Sequence, residues 1–255
     1  MADGETVIIT YHSIDDSGSV ISTSPDVFRR QIANLSEQGF LSKTLREYYG
    51  EADSGRNGAG RSVIVTFDDG FRNFRTKAFP VLKEFGFKAT VFLVTDFCGK
   101  HNDWEGNPQE LPRQELLDWE EIRDLAGEGI EFGGHTRSHP ILPELAKARI
   151  EEEIGGCRQT LEQELGRDVV SFAYPFGKFD SRVKDSVRKH FGIACTTSLG
   201  RVGHRSDLLE LNRIDSYYLS DPASMEKLFT KSFGGYLFAR QRIRDLKSLA
   251  GMDRF

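Results

Sequence analysis

Hydrophobic and polar positions in this chain alternate between short apolar runs and longer amphipathic stretches. Residues 7–11, 62–67, 89–94, 169–174 and 193–197 are rich in β-branched and aromatic side chains and almost free of charge. That pattern marks strands buried on both faces. Residues 129–134 and 211–216 read as further strands. Between them lie helical patterns. Val27, Phe28, Ile32 and Leu35 share one face of a helix opened by Ser24 and Pro25 as N-cap and first-turn pair, which ends near Gly39. Residues 79–85, 119–128 and 145–165 each stop at a glycine, namely Gly86, Gly129 and Gly166. Residues 45–49 and 181–191 complete the helices. Strands alternating with helices predict an α/β fold, either a parallel barrel or a wound sheet.

A length of 255 residues allows one large barrel or two small domains. No Pro/Gly/Ser-rich linker separates two cores, so a single domain over residues 1–255 is expected. The polar, Gly-rich stretch 51–60 reads as a surface loop or insertion. A net charge of −5 argues against general nucleic-acid binding. Cys98, Cys157 and Cys195 are far apart and form no Cys-x-x-Cys pair. The first residues lack the basic and apolar regions of a signal peptide, and no run is long enough to span a bilayer, so a cytoplasmic location is expected. The tail 225–255 mixes Leu228, Phe229, Phe233, Leu237, Phe238, Ile243 and Leu246 with many Lys and Arg. It reads as a last barrel helix with a solvated face, or as a basic helix in weak contact with a membrane or glycan-assembly partner.

The chemistry concentrates at two strand ends. Residues 62–67 run into Asp68-Asp69-Gly70, and residues 129–134 run into His135-Thr136-Arg137-Ser138-His139. One helical turn would bring side chains at i and i+4 onto one face. Two His and one carboxylate are a common ligand set for a catalytic zinc site. A second carboxylate beside the first is then placed to take a proton from water. Each motif has a plainer reading: Asp-Asp-Gly is a common turn, and His-x-x-x-His occurs on polar faces. Their joint occurrence at two strand ends favours a metal hydrolase.

Thr66-Phe67-Asp68-Asp69-Gly70, His135-Thr136-x-x-His139 and Phe172-Ala173-Tyr174-Pro175-Phe176-Gly177 resemble the first three motifs of the polysaccharide deacetylase family. The family is also called the NodB-homology domain or carbohydrate esterase family four. The resemblance runs from about residue 7 to 218. It implies a distorted (β/α) barrel, a divalent metal and hydrolysis of an N-acetyl group on an amino sugar. It also implies Asp69, His135 and His139 as ligands to zinc, with cobalt or nickel as replacements, and Asp68 as general base. The family's late Leu-x-His motif has no match here, and His204 lies in a polar stretch. Thr10-Tyr11-His12 instead resembles the N-terminal arrangement in the subgroup that includes biofilm poly-N-acetylglucosamine deacetylases, which implies His12 as general acid. Many members carry a third-motif Arg that orients the base; the matching position here is Ala173. Arg213 is a candidate to supply that charge, to touch substrate, or to form a structural ion pair. The resemblance implies the Phe176 backbone N–H as oxyanion donor, with Pro175 and Gly177 shaping its turn. Tyr11, Tyr174 and Trp104 are candidate sugar contacts, and Trp119 reads as barrel packing. The expected substrate is an N-acetylated amino sugar in a polysaccharide or glycan precursor. Two alternatives stand beside it: an amidohydrolase for a non-sugar amide or cyclic imide, and a carbohydrate-binding protein on a degenerate barrel.

Overall fold

Period-two alternation along the strands decides which side chains face into the fold and which face its helices. In chain order the elements are β1 (Thr6–Tyr11), β2 (Ser13–Ile14), β3 (Ser22–Thr23), α1 (Pro25–Glu37), β4 (Leu41–Lys43), α2 (Leu45–Asp53), β5 (Ser62–Phe67), α3 (Phe79–Phe85), β6 (Ala89–Leu93), α4 (Trp119–Gly127), β7 (Glu131–Gly134), α5 (Lys147–Leu165), β8 (Ser171–Ala173), α6 (Ser181–His190), β9 (Ile193–Leu199), β10 (Leu211–Asp215), α7 (Pro222–Glu226) and α8 (Lys231–Leu249). The structure is a computed structural model that describes residues 6–54, 61–108, 110–203 and 206–249. His204 and residues 55–60 of the Gly-rich stretch lie outside the described residues, as does the end of the tail, 250–255.

Seven strands close a parallel barrel in the order β1-β10-β9-β8-β7-β6-β5, with β5 returning to β1. Every pairing in the barrel is parallel, so all seven C-terminal ends share one rim. This is the distorted (β/α) barrel expected from the sequence. Ile8, Ile64, Phe92, Ala173, Ile193, Cys195 and Leu211 pack together as an inner cluster. Val7, Ile9, Tyr11, Val65 and Phe67, the alternate positions, join Phe28, Ile32 and Leu35 of α1 in the outer core. The N-terminal mouth is closed by α2. Leu45 enters the inner cluster, and the N–H groups of Leu45 and Arg46 donate to Thr90 Oγ1 and Glu131 Oε2. Chemistry is therefore confined to the other, C-terminal rim.

Caps follow the sequence signals. Ser24 Oγ accepts from Val27 N–H at the start of α1, Asp118 and Glu121 form a reciprocal capping box at α4, and Gly166 ends α5 at φ +64°. Three features escaped the sequence pattern. β2, β3 and β4 are two or three residues long, too short for a periodic signal. A π-helical turn, Phe74–Ala78, precedes α3. β7 and β8 are shorter than the apolar runs suggested, starting two residues later at the N-terminal mouth, and β8 also ends one residue earlier. In the tail, Phe233 and Leu237 of α8 are buried while Phe238, Ile243 and Leu246 are exposed. Arg244 donates to Thr197 O and Gln241 Oε1 accepts from Leu199 N–H, which fixes α8 against β9. Among the described residues, no helix is long and apolar enough to cross a membrane.

Candidate active site

Alternation along β5 turns Ile64 and Thr66 inward, and Asp68 continues that series at the rim. Its carboxylate is buried and accepts two parallel bonds from Arg213, Nη1 to Oδ1 and Nη2 to Oδ2, each 2.7 Å. Arg213 comes from β10, is 1% exposed, and also donates through Nε to Thr196 O at 2.8 Å. The charge absent at Ala173 thus arrives from a different strand. Burial pushes the Asp68 carboxyl up, but the Arg213 charge and its two hydrogen bonds outweigh it and hold the group well below the usual carboxylate range. His12 follows β1 as Asp68 follows β5, since Tyr11 pairs with Phe67. The His12 Nε2 lies 3.8 Å from Asp68 Oδ2, with the side chain 27% exposed. It stands beside the base on the same rim rather than across the site from it.

Asp69 and Gly70 both take left-handed backbone, φ +71° and +75°. Gly70 is required there on two counts, since a Cβ would also lie 2.6 Å from Leu93 Cδ2. The reversal directs the Asp69 carboxylate away from Asp68's partners and towards two imidazoles. Asp69 Oδ1 is 3.6 Å from His135 Nε2 and 3.5 Å from His139 Nε2, and the two nitrogens are 3.2 Å apart. All three residues are buried. Asp69 Oδ1 has no hydrogen-bond partner. His135 Nδ1 is 2.8 Å from Ala173 O, so Nδ1 carries the proton and Nε2 presents its lone pair to the cluster. Burial pushes the Asp69 carboxyl up, and burial with the neighbouring His135 pushes the His139 imidazole well down. Two imidazole nitrogens and an orphaned carboxylate oxygen converging in a buried cluster fit a divalent cation of the zinc type.

The two His do not converge by helical spacing. Residues 135–139 form an irregular loop with Thr136 at φ +68° and His139 at φ +60°. Buried Glu153 of α5 holds that loop, accepting from Arg137 N–H (3.0 Å), Ser138 N–H (2.9 Å) and Ser138 Oγ (2.8 Å). Among the described residues, the non-glycine positions with positive φ are Asp69, Thr136, His139 and Phe176. All four stand at this site, where strain is retained because the surroundings over-determine it. Phe176 sits in the tight turn Pro175–Gly177 with its ring 4.7 Å from the His139 ring. Gly177 follows at φ +67°, and a Cβ on it would lie 2.1 Å from Thr197 Oγ1.

Four sequence expectations need correction. Tyr11 faces outward by alternation: its ring packs on Phe28 and Phe67, and its hydroxyl donates to Gln31 Oε1 at 2.8 Å, so it is no sugar contact. Tyr174 is likewise fully buried beside inward Ala173, donating to Leu209 O at 3.0 Å. Trp104 is 4% exposed, its ring packed against His139 at 4.8 Å and Phe97 at 5.6 Å, so it supports a His rather than offering a stacking face. Arg213 belongs to Asp68, and its burial removes it from substrate contact. The sequence reading missed Glu153, the third of three consecutive glutamates, whose signal was its place on the apolar face of α5 beside Ile150, Ile154 and Cys157. It also missed the polar cluster beyond His12. There Asn73 Nδ2 donates to Ser13 Oγ (2.6 Å), and Gln114 Nε2 and Ser22 Oγ donate to Asp15 Oδ2, each at 3.0 Å.

A closed parallel barrel with paired carboxylates and two imidazoles on its C-terminal rim places the chain among (β/α) barrel proteins that keep their chemistry in the rim loops. The family model described as polysaccharide deacetylase matches residues 55–193, more than half of the chain, and the chain belongs to that family. The Bacillus subtilis (strain 168) protein YxkH, provisionally named a polysaccharide deacetylase, is 24% identical over 81% of this chain and 70% of its own length. The poly-β-1,6-N-acetyl-D-glucosamine N-deacetylase of Escherichia coli (strain K12) is 27% identical over 51% of this chain, which spans only 20% of that protein. The solved structure of IcaB from Ammonifex degensii shares the fold, with a TM-score of 0.74 at 24% identity, covering 88% of this chain and 95% of IcaB.

Proposed function

We propose that this protein is a metal-dependent hydrolase that removes N-acetyl groups from amino sugars in a polysaccharide or glycan precursor. The observation that carries the reading is the division of two adjacent carboxylates between two jobs. Asp68 is paired to Arg213, while Asp69 is turned through left-handed backbone towards His135 and His139. Family membership supports the acetylated-glycan class of substrate.

Asp69, His135 and His139 would hold the ion, zinc by donor chemistry, with cobalt or nickel as replacements. When bound, such an ion supplies Lewis acidity to the amide oxygen and eases deprotonation of the attacking water. Asp68 remains a carboxylate under the Arg213 charge and takes that water's proton as general base. His12, partly exposed beside Asp68, delivers a proton to the departing amine. The Phe176 N–H, presented by the strained turn before Gly177, is the oxyanion donor. Splitting the amide thus adds water across one C–N bond and yields acetate and a free amine. A panel of N-acetylated oligosaccharides, a cyclic imide and an acetyl ester, assayed with and without chelator, tests this. Chelator-sensitive acetate release from the sugars supports it; turnover of the imide alone replaces it with the non-sugar reading; no turnover of any substrate leaves the degenerate-barrel reading.

A further inference from the structure

The aromatic residues expected to meet sugar are buried, yet the rim carries exposed phenols that the catalytic site leaves unused. β10 pairs with β1 in parallel, with Thr10 opposite Asp215. β10 ends there, and the chain turns through Ser216–Leu219 and presents Tyr217. β10 and β1 are neighbours, so Tyr217 leaves the same C-terminal rim as His12, at the end of the adjacent strand. Its side chain is 72% exposed. Its backbone is fixed, because the Tyr217 N–H donates to Asp215 Oδ1 at 2.8 Å. The ring meets Tyr218 edge-on at 5.6 Å and 82°, and Tyr218 in turn meets Tyr236 of α8 at 6.3 Å and 71°. Tyr218 is half-buried on the core with the Arg240 guanidinium 5.5 Å from its ring centre. Tyr236 is 45% exposed and braced by Phe233 at 5.8 Å. Three phenols are therefore in successive ring contact, from the C-terminal end of β10 onto α8.

An exposed phenol has an apolar face and a hydrogen-bonding edge. A pyranose ring has the complementary pair, a C–H face and a hydroxyl edge. Adjacent phenols stand about one sugar ring apart, and the row is continuous with the rim. We propose that Tyr217, Tyr218 and Tyr236 form a glycan-binding track for several linked N-acetylhexosamine units, leading the chain to the acetyl group at Asp68. The proposal rests on the de-N-acetylase reading and adds to it a preference for oligomers over single sugars. Contacts to remote units are the means by which an enzyme lowers KM or raises kcat without touching the reacting bond.

The test compares wild type, Tyr217→Ala, Tyr236→Ala and Tyr217→Trp on β-linked N-acetylglucosamine dimers and hexamers, with a small acetyl ester as reference. Tyr217→Ala should lower kcat/KM on the hexamer roughly three- to tenfold, the scale of one aromatic stacking contact. Ester turnover and Tm should stay at wild-type values, and Tyr217→Trp should restore the hexamer rate. An equal loss on dimer, hexamer and ester, or no loss on any, overturns the track. Hexamer affinity for the metal-stripped wild-type protein, measured by calorimetry, separates the two readings. If the ester is cleaved and no glycan is deacetylated, the de-N-acetylase reading fails; the track then stands if the hexamer binds and Tyr217→Ala weakens that binding, and falls if the hexamer does not bind.

Discussion

Arg213 and Asp68 lie 145 positions apart in sequence and meet as a buried two-pronged ion pair, both contacts at 2.7 Å. This pair keeps one of two neighbouring acids charged, while burial pushes the other up. Asp68's folded carboxyl lies below its unfolded value of about 3.9, so the folded state releases this proton more readily than the unfolded chain. The pair's contribution to stability is fully present above about pH 4. It is lost as pH falls from there through the folded value.

Arg213→Gln should therefore move the acidic limb of the kcat/KM profile upward by about 1–3 pH units. It should also cost about 3–5 kcal/mol at neutral pH, the penalty for stranding one member of a buried pair. Urea unfolding at pH 7 and pH 3 checks the second point, with the difference between variant and wild type shrinking at the lower pH. A variant with an unmoved acidic limb would show that Arg213 does not set Asp68's charge.

Asp68→Asn keeps the shape of the base and removes its charge. Turnover should fall roughly 10²–10⁴-fold, the usual scale for one general base. Metal content, read by elemental analysis after loading, should hold near wild type. Asp69→Asn should instead lower metal occupancy. The two neighbours would thus separate by readout, and similar metal loss in both would merge their roles.

Glu153 touches none of the three proposed ligands, yet it holds the loop between two of them through Arg137 and Ser138. Glu153→Gln retains one acceptor and loses the charge. Outer partners of this kind typically affect metal affinity 10–100-fold, and a loss in that range is expected by competition with a chelator. His135→Ala should abolish the rise in Tm on adding a divalent ion. A wild-type-sized rise in that variant would remove His135 from the ligand set.

The barrel was legible because its strands are apolar on both faces and its helices carry ordinary caps. The cluster of Asp69, His135 and His139 was legible because the acids and imidazoles end strand-like runs. What the sequence hid was direction. Tyr11 and His12 are adjacent, and alternation sends one into the outer core and the other to the rim. The same rule places Ala173 inward and Tyr174 outward. Applied to the sequence, it would have removed both tyrosines from the substrate contacts. Arg213 was one candidate for the charge missing at Ala173, and deciding between its possible roles needed the pairing of β10 with β1 and of β1 with β5, which no local pattern encodes. Tyr217 was hidden for a similar reason, since only the pairing of β10 with β1 puts the turn that carries it on the rim of the site.

Gly177 tests whether the turn carrying Phe176 matters for chemistry. Gly177→Ala meets two obstacles, a left-handed φ of +67° and a Cβ 2.1 Å from Thr197 Oγ1. Pairing it with Thr197→Ala relieves the hydroxyl clash and leaves the backbone strain, about 1–2 kcal/mol for a single residue. Tm should fall more in the single variant than in the double. Turnover should fall in both, because the Phe176 N–H shifts with the turn. Full activity in the single variant would detach this turn from the reaction.

His12 is 3.8 Å from Asp68, and its proposed role is tested by varying the leaving group. An amine departing from an amide needs a proton as the C–N bond breaks. An activated ester releases a stable alkoxide or phenoxide and needs little help. His12→Ala should therefore spare metal binding and cut amide turnover roughly 10²–10⁴-fold, as for one general acid. Activated-ester turnover should fall far less. Asp15→Ala loosens the polar cluster that follows His12 without touching its ring. It should give a smaller loss with the same bias towards the amide. Equal losses on amide and ester would make His12 a group that positions substrate or Asp68, and the proton would have to come from another residue.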